Sequence, residues 1–535
     1  MMRLVPAMLL TLIFLTPLAA LGTDVEGDVW GTWTKGNSPY NVIGEVRVPP
    51  ESTLVIEPGV LVNFMGHYKF IVDSSATLQA VGIETDSIYF TADDTLTGWH
   101  GIRFTDANSN SQISYCRIEY GKATAPDHRG GAILCHLSSP TITNNTIWKN
   151  WAETDGGGIY SWYSSPTIIG NLITRNTVVE AGGGIYIRYG DSSTVRNNII
   201  TENTALWAGG VFCRGSRSLV SENLIKNNSA AGNGGGLIII SPGRPIIQHN
   251  IISENSTGNS GGGIRCSPES NPIIAGNLVS DNSAASRGGG ISCDSTEAVL
   301  VNNTISENQA EVSGGGISCR NASTVTVTNS ILWANSAPDN PEIEVDPSSD
   351  LTITYSNVQG GWAGQGNLDL DPLFRNPEVG NFHLMADYCG DPYNSPCIDG
   401  GHPDSLDDSL DCLHGLGSNR ADMGAYGGDN SGWPTGVEED ESKNLFVPGE
   451  FLLHQNYPNP FNASTTIHYR LPVSGHVRLE IYNILGEKVA TLFEGKQQRG
   501  YRSMVWEASS LSSGLYFYKL TVGDLTETRR MTLIR

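Results

Sequence analysis

Charge is scarce in this chain, and basic charge is scarcer still. Only 16% of the 535 residues are Asp, Glu, Lys or Arg, and 32 basic residues face 55 acidic ones, a formal net charge of −23. That balance excludes a broad nucleic-acid interface, because a phosphate backbone selects basic surfaces. Beyond the first 22 residues no apolar run is long enough to span a bilayer, so no transmembrane segment is expected in the mature protein. The phrases that announce common chemistries are missing too. There is no nucleophile elbow, no His-Glu-x-x-His, no phosphate-binding glycine loop and no zinc spacing of Cys or His.

Glycine, by contrast, is abundant, with 62 residues, many in fixed triplets. The phrase GGGISC at Gly288 returns 26 residues later at Gly314. Related phrases place a first apolar residue at Ile133, Ile159, Ile185, Val211, Leu237, Ile264, Ile291 and Ile317. An asparagine column keeps pace from Asn145 through Asn171, Asn198, Asn223, Asn250, Asn277 and Asn303 to Asn329. A second column runs from Asn150 to Asn308, with Asn335 one residue late. Between these markers, short runs alternate apolar and polar residues, which is a strand signal and not a helical one. A repeat this short with no helical segment predicts an all-β solenoid of about 26 residues per coil. Glycine is expected where a corner needs positive φ or the next coil leaves no room for a Cβ. Asparagine is expected to take the left-handed turn and to ladder its amide from coil to coil.

Inward and outward positions follow from the alternation. Cys135, Cys213, Cys266, Cys293 and Cys319 share one inward column with Ser161, Ile187 and Ile239, and read as small buried hydrophobes. The flanking columns read as outward. They place Tyr160, Trp162, Tyr186, Arg188, Phe212 and Arg214 on three successive coils as a ligand-binding patch, with His136 at its edge. Exposed rings stack on sugar faces and Arg pairs with carboxylates. Glu254, Asp281 and Glu307 form a second stack, four residues past the ladder Asn, and are a candidate Ca²⁺ site. Asp399, Asp404, Asp407, Asp408 and Asp411 are another acidic cluster, without a recognisable Ca²⁺ loop spacing. Among Cys389, Cys397 and Cys412 one disulfide is expected, leaving one thiol over.

The two ends of the chain are different in kind. MMRLVPAMLLTLIFLTPLAALG, residues 1–22, has a basic start, an apolar stretch and a small-residue ending, the pattern of a secretory signal peptide. From Phe451 onward the net charge is +4, against −27 for the rest, which marks a domain boundary. The acidic segment 431–447 reads as a linker, and 448–535 carries about seven short strands, expected to form a small Ig-like β-sandwich.

Residues 25 to about 430 resemble secreted bacterial right-handed parallel β-helix proteins, on SPYNVIGEVRVPPESTLVIEPGV, the Gly and Asn repeats, and DPLF, SPCIDGG and DMGAYGG. The predicted β-helix domain spans 23–430. Residues Gln455–Asn462 and Ile481–Leu485 resemble the type A C-terminal sorting domain of the type IX secretion system. These resemblances imply export to the medium or outer surface of a Gram-negative, Bacteroidetes-like bacterium, with the type IX machinery as a partner. The superfamily includes polysaccharide lyases, hydrolases and adhesins, and Arg is the usual proton acceptor of its lyases, which makes Arg188 and Arg214 the catalytic candidates. The expectation is a monomer that binds an extracellular polysaccharide and, in the enzymatic reading, cleaves it. The alternative is a non-catalytic surface scaffold or adhesin.

Overall fold

The short alternating runs form strands of two to five residues, each just long enough for one side of a coil. The computed structural model describes residues 22–535 except 191, 241–242, 408–409, 411, 413–414, 429–451, 454–455, 457–460, 472–474, 485, 498–499, 509–510, 524 and 535. Residues 1–21 of the signal-peptide segment and the predicted linker lie outside the described residues.

From Thr23 to Val358 the chain winds as a parallel solenoid. One coil shows the pattern: Ile133–His136, Thr141–Thr143, Thr146–Trp148 and Trp151–Ala152, after which Ile159–Trp162 opens the next coil. Each strand pairs in parallel register with its equivalent one coil on. Register makes the core a set of stacks. Ile147, Ile173, Ile200, Ile225, Ile252, Val279, Ile305 and Leu332 lie over one another in paired strands and are all fully buried. The cysteine column is buried as expected, and Cys266, Cys293 and Cys319 stack on consecutive coils. Burial pushes the Cys213 thiol up to about 12, so it carries no nucleophilic thiolate at neutral pH.

A chain that turns four times per coil strands backbone N–H groups at each corner, and these must be satisfied. The asparagines do this. In Asn171, Oδ1 accepts from both the backbone N–H and Nδ2 of Asn145, at 2.9 Å each, and Nδ2 donates to Ile142 O and to Asn198 Oδ1, also at 2.9 Å. The second column repeats the arrangement, as in Asn228, Asn255 and Asn282. Neither ladder Asn is the left-handed residue. That role falls to the residue before it, whatever its type: Asn144, Asn197 and His249 precede the first column, and Lys149, Arg175, Glu202, Asn227, Glu254, Asp281 and Glu307 the second, all at φ between 52° and 58°. Left-handed backbone costs a non-glycine residue about 1–2 kcal/mol, a strain of the same order as the two or three amide bonds, at about 1 kcal/mol each, that the adjoining Asn makes. Glycine is needed at the remaining corner. Gly288 sits at φ +62°, and a Cβ on Gly289 would lie 2.4 Å from Gln309 O and 2.6 Å from Gly315 O of the next coil.

Two features differ from the sequence reading. Ser330, not Asn329, continues the first ladder: Asn303 N donates to Ser330 Oγ, and Ser330 N to Ser356 Oγ. Asn329 is the left-handed residue before it, and Asn335 is therefore in register with Asn308, not late. SPCIDGG and RADMGAYGG, expected to mark the final coil and its cap, form turns instead. They lie against the side of the solenoid, where Asn302 Nδ2 donates to Asp422 O and Asn329 Oδ1 accepts from His402 N. In this segment Cys389 and Cys412 form the disulfide, and Cys397 is the buried free thiol.

Among the described residues, the C-terminal region is a separate antiparallel unit of seven strands. Leu452–Leu453, Ser464–Leu471 and Gly500–Glu507 form one sheet; Lys488–Gln497, Gly475–Asn483, Gly514–Val522 and Leu525–Leu533 form the other, in that order. Their apolar faces share one core that includes Ile467, Tyr469 and Trp506 from the first sheet and Leu479, Ile481, Tyr518 and Met531 from the second.

Asn255→Ala removes the acceptor of two donors on Asn228 and is expected to destabilise the solenoid by about 2–3 kcal/mol, read as a lower urea midpoint. Glu342 ends the second ladder by accepting from Asn335 N at 3.0 Å and from Nδ2 at 2.6 Å. Burial raises its carboxyl from 4.5 to about 7, against the lowering effect of Asn335. The folded state thus holds this proton more tightly than the unfolded chain. The stabilisation is full below the unfolded value and is lost as pH rises through about 7. Glu342→Gln, whose amide oxygen takes both donors as an Asn does, is expected to flatten that decline in a melting-temperature series from pH 4.5 to 8.

Candidate functional site

The parallel register brings Tyr160, Tyr186 and Phe212 together in one column, with Trp162, Arg188 and Arg214 in the next but one. The exposure expected for the first column is not what the fold provides. Tyr160, Tyr186 and Phe212 are all at least 95% buried. Each glycine corner turns back over the strand that follows it, and Ala181 and Ala208 pack directly onto these rings, as does Ile238 of the next coil. Edge-to-face contacts join the three, with centroids 5.2 Å apart for Tyr160–Tyr186 and 4.5 Å for Tyr186–Phe212. They form the floor of the site and do not offer stacking faces.

The open aromatic surface lies one column further along. His136 stacks on Trp162 at 4.6 Å, Trp162 leans on Tyr163 at 5.4 Å, and Tyr163 stacks on Tyr189 of the next coil at 5.2 Å. The Arg188 guanidinium stands over Trp162 at 5.8 Å and over Tyr189 at 5.2 Å. Trp162, Arg188 and Tyr189 are half-buried, whereas Tyr163 is 52% exposed and Arg214 is exposed. Tyr163 and Tyr189 lie outside the outward columns that strict alternation gives, because the alternation ends with the strand. Both are left-handed, at φ 48° and 54°, so the chain bends there and two successive side chains face outward. The signal was an aromatic repeated in SWYSS and YIRYG, at the last letter before a Ser or Gly corner.

A polar group lines the same floor. Arg129 Nε pairs with Asp155 Oδ2 at 3.0 Å, and its guanidinium lies 5.6 Å from the Tyr160 ring. Burial raises the Asp155 carboxyl above its usual value while Arg129 pulls it down. Burial also pushes Tyr186 up to about 12, helped by the Asp155 charge. For Arg188 burial opposes the charge, but the Tyr160 and Tyr189 hydroxyls outweigh it and hold the guanidinium protonated. Tyr160 Oη is near that guanidinium without reaching hydrogen-bond geometry. Tyr160 Oη, Trp162 Nε1 and Arg188 Nε are all buried atoms with no hydrogen-bond partner. Three unsatisfied donors on two adjoining coils are a costly arrangement, and acceptor atoms of a ligand would relieve it.

The proposed Ca²⁺ stack does not assemble. Glu254, Asp281 and Glu307 sit at left-handed corners, and Glu254 is paired with Lys226 at 3.1 Å. Among the described residues no group of three or more His, Cys, Asp or Glu side chains is placed to hold a metal ion. In the C-terminal acidic cluster, Asp399 accepts from Ser418 N and Oγ and Asp407 from Asp422 N, so these carboxylates tie turns together. Asp408 and Asp411 lie outside the described residues.

Tyr160→Phe removes a buried hydroxyl that has no partner in the free protein. Its unfolding midpoint is expected to equal or exceed that of the parent, by up to about 1 kcal/mol, in a urea titration.

Residues 81–173 and 158–300 match the family model of the right handed beta helix region, and residues 455–534 match the secretion system C-terminal sorting domain. Neither curated proteins nor solved structures yielded a match. Among the described residues no helix is long and apolar enough to cross a membrane. The sorting domain directs the protein out of the cell or to the outer surface of a Bacteroidetes-like bacterium, with the type IX secretion machinery as its partner. With its parallel coils, glycine corners and asparagine ladders, the chain is a right-handed parallel β-helix repeat protein that carries a type IX secretion sorting domain.

Proposed function

We propose that this protein binds an extracellular polysaccharide along the face formed by Trp162, Tyr163, Tyr189, Arg188 and Arg214. The observation that carries the reading is the conjunction of half-open rings with three unsatisfied buried donors, two on the face itself and one beneath it. Apolar sugar faces stack on such rings, and hydroxyl or carboxylate oxygens supply the acceptors that Tyr160 Oη, Trp162 Nε1 and Arg188 Nε lack. Stacked coils repeat these features at a strand spacing of about 4.8 Å, which suits an extended polymer better than a compact small molecule. Export to the cell surface puts the face where such polymers occur.

Binding without turnover is the reading favoured by the site's side chains. Among the described residues of the floor, the acidic side chain Asp155 is already paired with Arg129. A hydrolase needs two carboxylates flanking one bond. If the face does cleave, the chemistry falls to elimination with Arg214 as the proton acceptor and the protonated Arg188 neutralising the sugar carboxylate.

Affinity electrophoresis of the full chain through gels containing neutral and acidic polysaccharides tests the proposal. Retardation by at least one polymer is expected. Trp162→Ala combined with Tyr189→Ala is expected to weaken it by about tenfold or more, from two lost ring contacts of about 1 kcal/mol each. Tyr160→Phe should weaken binding while leaving the fold as stable as before. Migration unchanged by every polymer sinks the proposal. Unsaturated sugar ends that vanish in Arg188→Ala with Arg214→Ala would establish the catalytic alternative.

A further inference from the structure

A second group of ionisable side chains gathers nearer the N-terminus of the solenoid, joined to the floor of the aromatic face through the Arg129–Asp155 pair. The segment 124–129 is longer than the equivalent turns of later coils, and it lies across the preceding coils. Two ion pairs hold it, Asp127 with Lys69 of an earlier coil at 2.7 Å and Arg129 with Asp155 of the next coil at 3.0 Å, and His128 Nδ1 lies 2.6 Å from Glu153 Oε2. Beneath it, His100 and Arg103 are 2% and 3% exposed, the deepest basic side chains among the described residues. His67 packs edge-on against His100 at 5.0 Å, its Nε2–H donating to Lys122 O at 2.8 Å. His67, Lys69 and Asp127 form a partly open rim over this floor.

The floor is electrostatically incomplete. Arg103 uses both terminal nitrogens on backbone carbonyls: Nη1 donates to Gly130 O at 2.6 Å and Nη2 donates to His100 O. Its Nε has no partner, and neither has His100 Nε2. Burial brings Arg103 down only to about 9, so it is charged at neutral pH, and burial brings His100 down to about 3, so that ring is neutral. Arg103 and Lys69 therefore outweigh the one carboxylate of Asp127, in a chain whose net charge is −23. Asp127 is the built-in anion, but its Oδ2 stays 3.9 Å from His100 Nε2, too far for a hydrogen bond. Arg103 Nε–H, His100 Nε2 in its Nε2–H tautomer and one excess positive charge call for acceptor oxygens that the chain does not supply.

We propose that Lys69, His100, Arg103 and Asp127 frame a binding site for a small oxyanion, either a free ion such as sulfate or phosphate or the sulfate ester or carboxylate of a sugar. The anion would accept from Arg103 Nε and His100 Nε2 and pair with Lys69, displacing Asp127 and loosening the segment 124–129 that it anchors. No covalent step is involved. The site shares no residue with the aromatic face and stands or falls separately from it.

The test is isothermal titration of the full chain with sodium sulfate, sodium phosphate, glucuronate and galactose 6-sulfate, against sodium chloride at matched ionic strength. Saturable binding of at least one of the four is expected. Lys69→Met should weaken it about tenfold or more through the loss of one charge-assisted contact. Asp127→Asn, which removes the internal competitor, should tighten it. Lys69 and Asp127 lie on the rim, so neither change depends on refolding the buried floor, and Trp162→Ala should leave the binding untouched. Binding of inorganic ions alone assigns a free-ion site; binding of a sugar acid or sugar sulfate assigns the acidic group of a glycan. Heats no different from chloride for all four, or binding that survives Lys69→Met unchanged, overturns the proposal.

Discussion

The asparagine amide at each corner is satisfied chiefly by the coils on either side of it. Its oxygen takes two donors from the coil behind and its nitrogen reaches the oxygen of the coil ahead, so every member of the ladder depends on the next one being in register. A buried amide without partners costs several kcal/mol, and a slip of one residue would orphan a whole column. Stability is in this sense a nearest-neighbour property, accumulated coil by coil. The same logic makes the ends expensive. The first ladder passes through Ser330 and Ser356 and the second is closed by the carboxylate of Glu342. The C-terminal turns cover the last corners through Asn302 and Asn329.

Fixed register is also what makes a surface here. Side chains one coil apart lie over one another, so residues at one position of successive coils become a row. His136, Trp162, Arg188 and Arg214 are such a row, and Tyr163 and Tyr189 are a second that exists because the chain bends between them and their neighbours. The rings of Tyr160, Tyr186 and Phe212 underneath are held by the glycine corners, which approach so closely that a Cβ on Gly156 or Gly182 would fall 2.7 or 2.8 Å from the Cβ of Tyr160 or Tyr186. Glycine thus serves the site as well as the corner: it lets the turn descend onto the aromatic column and keeps the open row level.

Much of the architecture was legible from spacing. The Ile stacks, the buried cysteine column and both asparagine ladders follow from counting, because a solenoid repeats its environment at each coil and the sequence repeats with it. The single-residue error at Asn329 arose because Ser330 performs the same capping with a hydroxyl, so the physical column continued while the letter changed. The site was harder to read. Tyr160, Tyr186 and Phe212 have the right parity to face outward, and nothing in their own strands says that a turn from elsewhere in the coil covers them. The carboxylates of Glu254, Asp281 and Glu307 do recur at the coil period, but from left-handed corners, where Glu254 turns to Lys226 instead of to its counterparts.

The sequence by itself determined the coil length, the inward stacks, the presence of a distinct C-terminal domain and the route out of the cell, since each is written as a periodicity or as a contiguous phrase. Tertiary structure alone decided which aromatics are floor and which are face. It also decided that Arg129, Asp155 and Arg188 meet around Tyr160, and that Lys69, His100, Arg103 and Asp127 converge beneath one turn. Those groupings join residues tens of positions apart through the direction of a bend and the descent of a corner, and backbone dihedrals at a few left-handed residues set both.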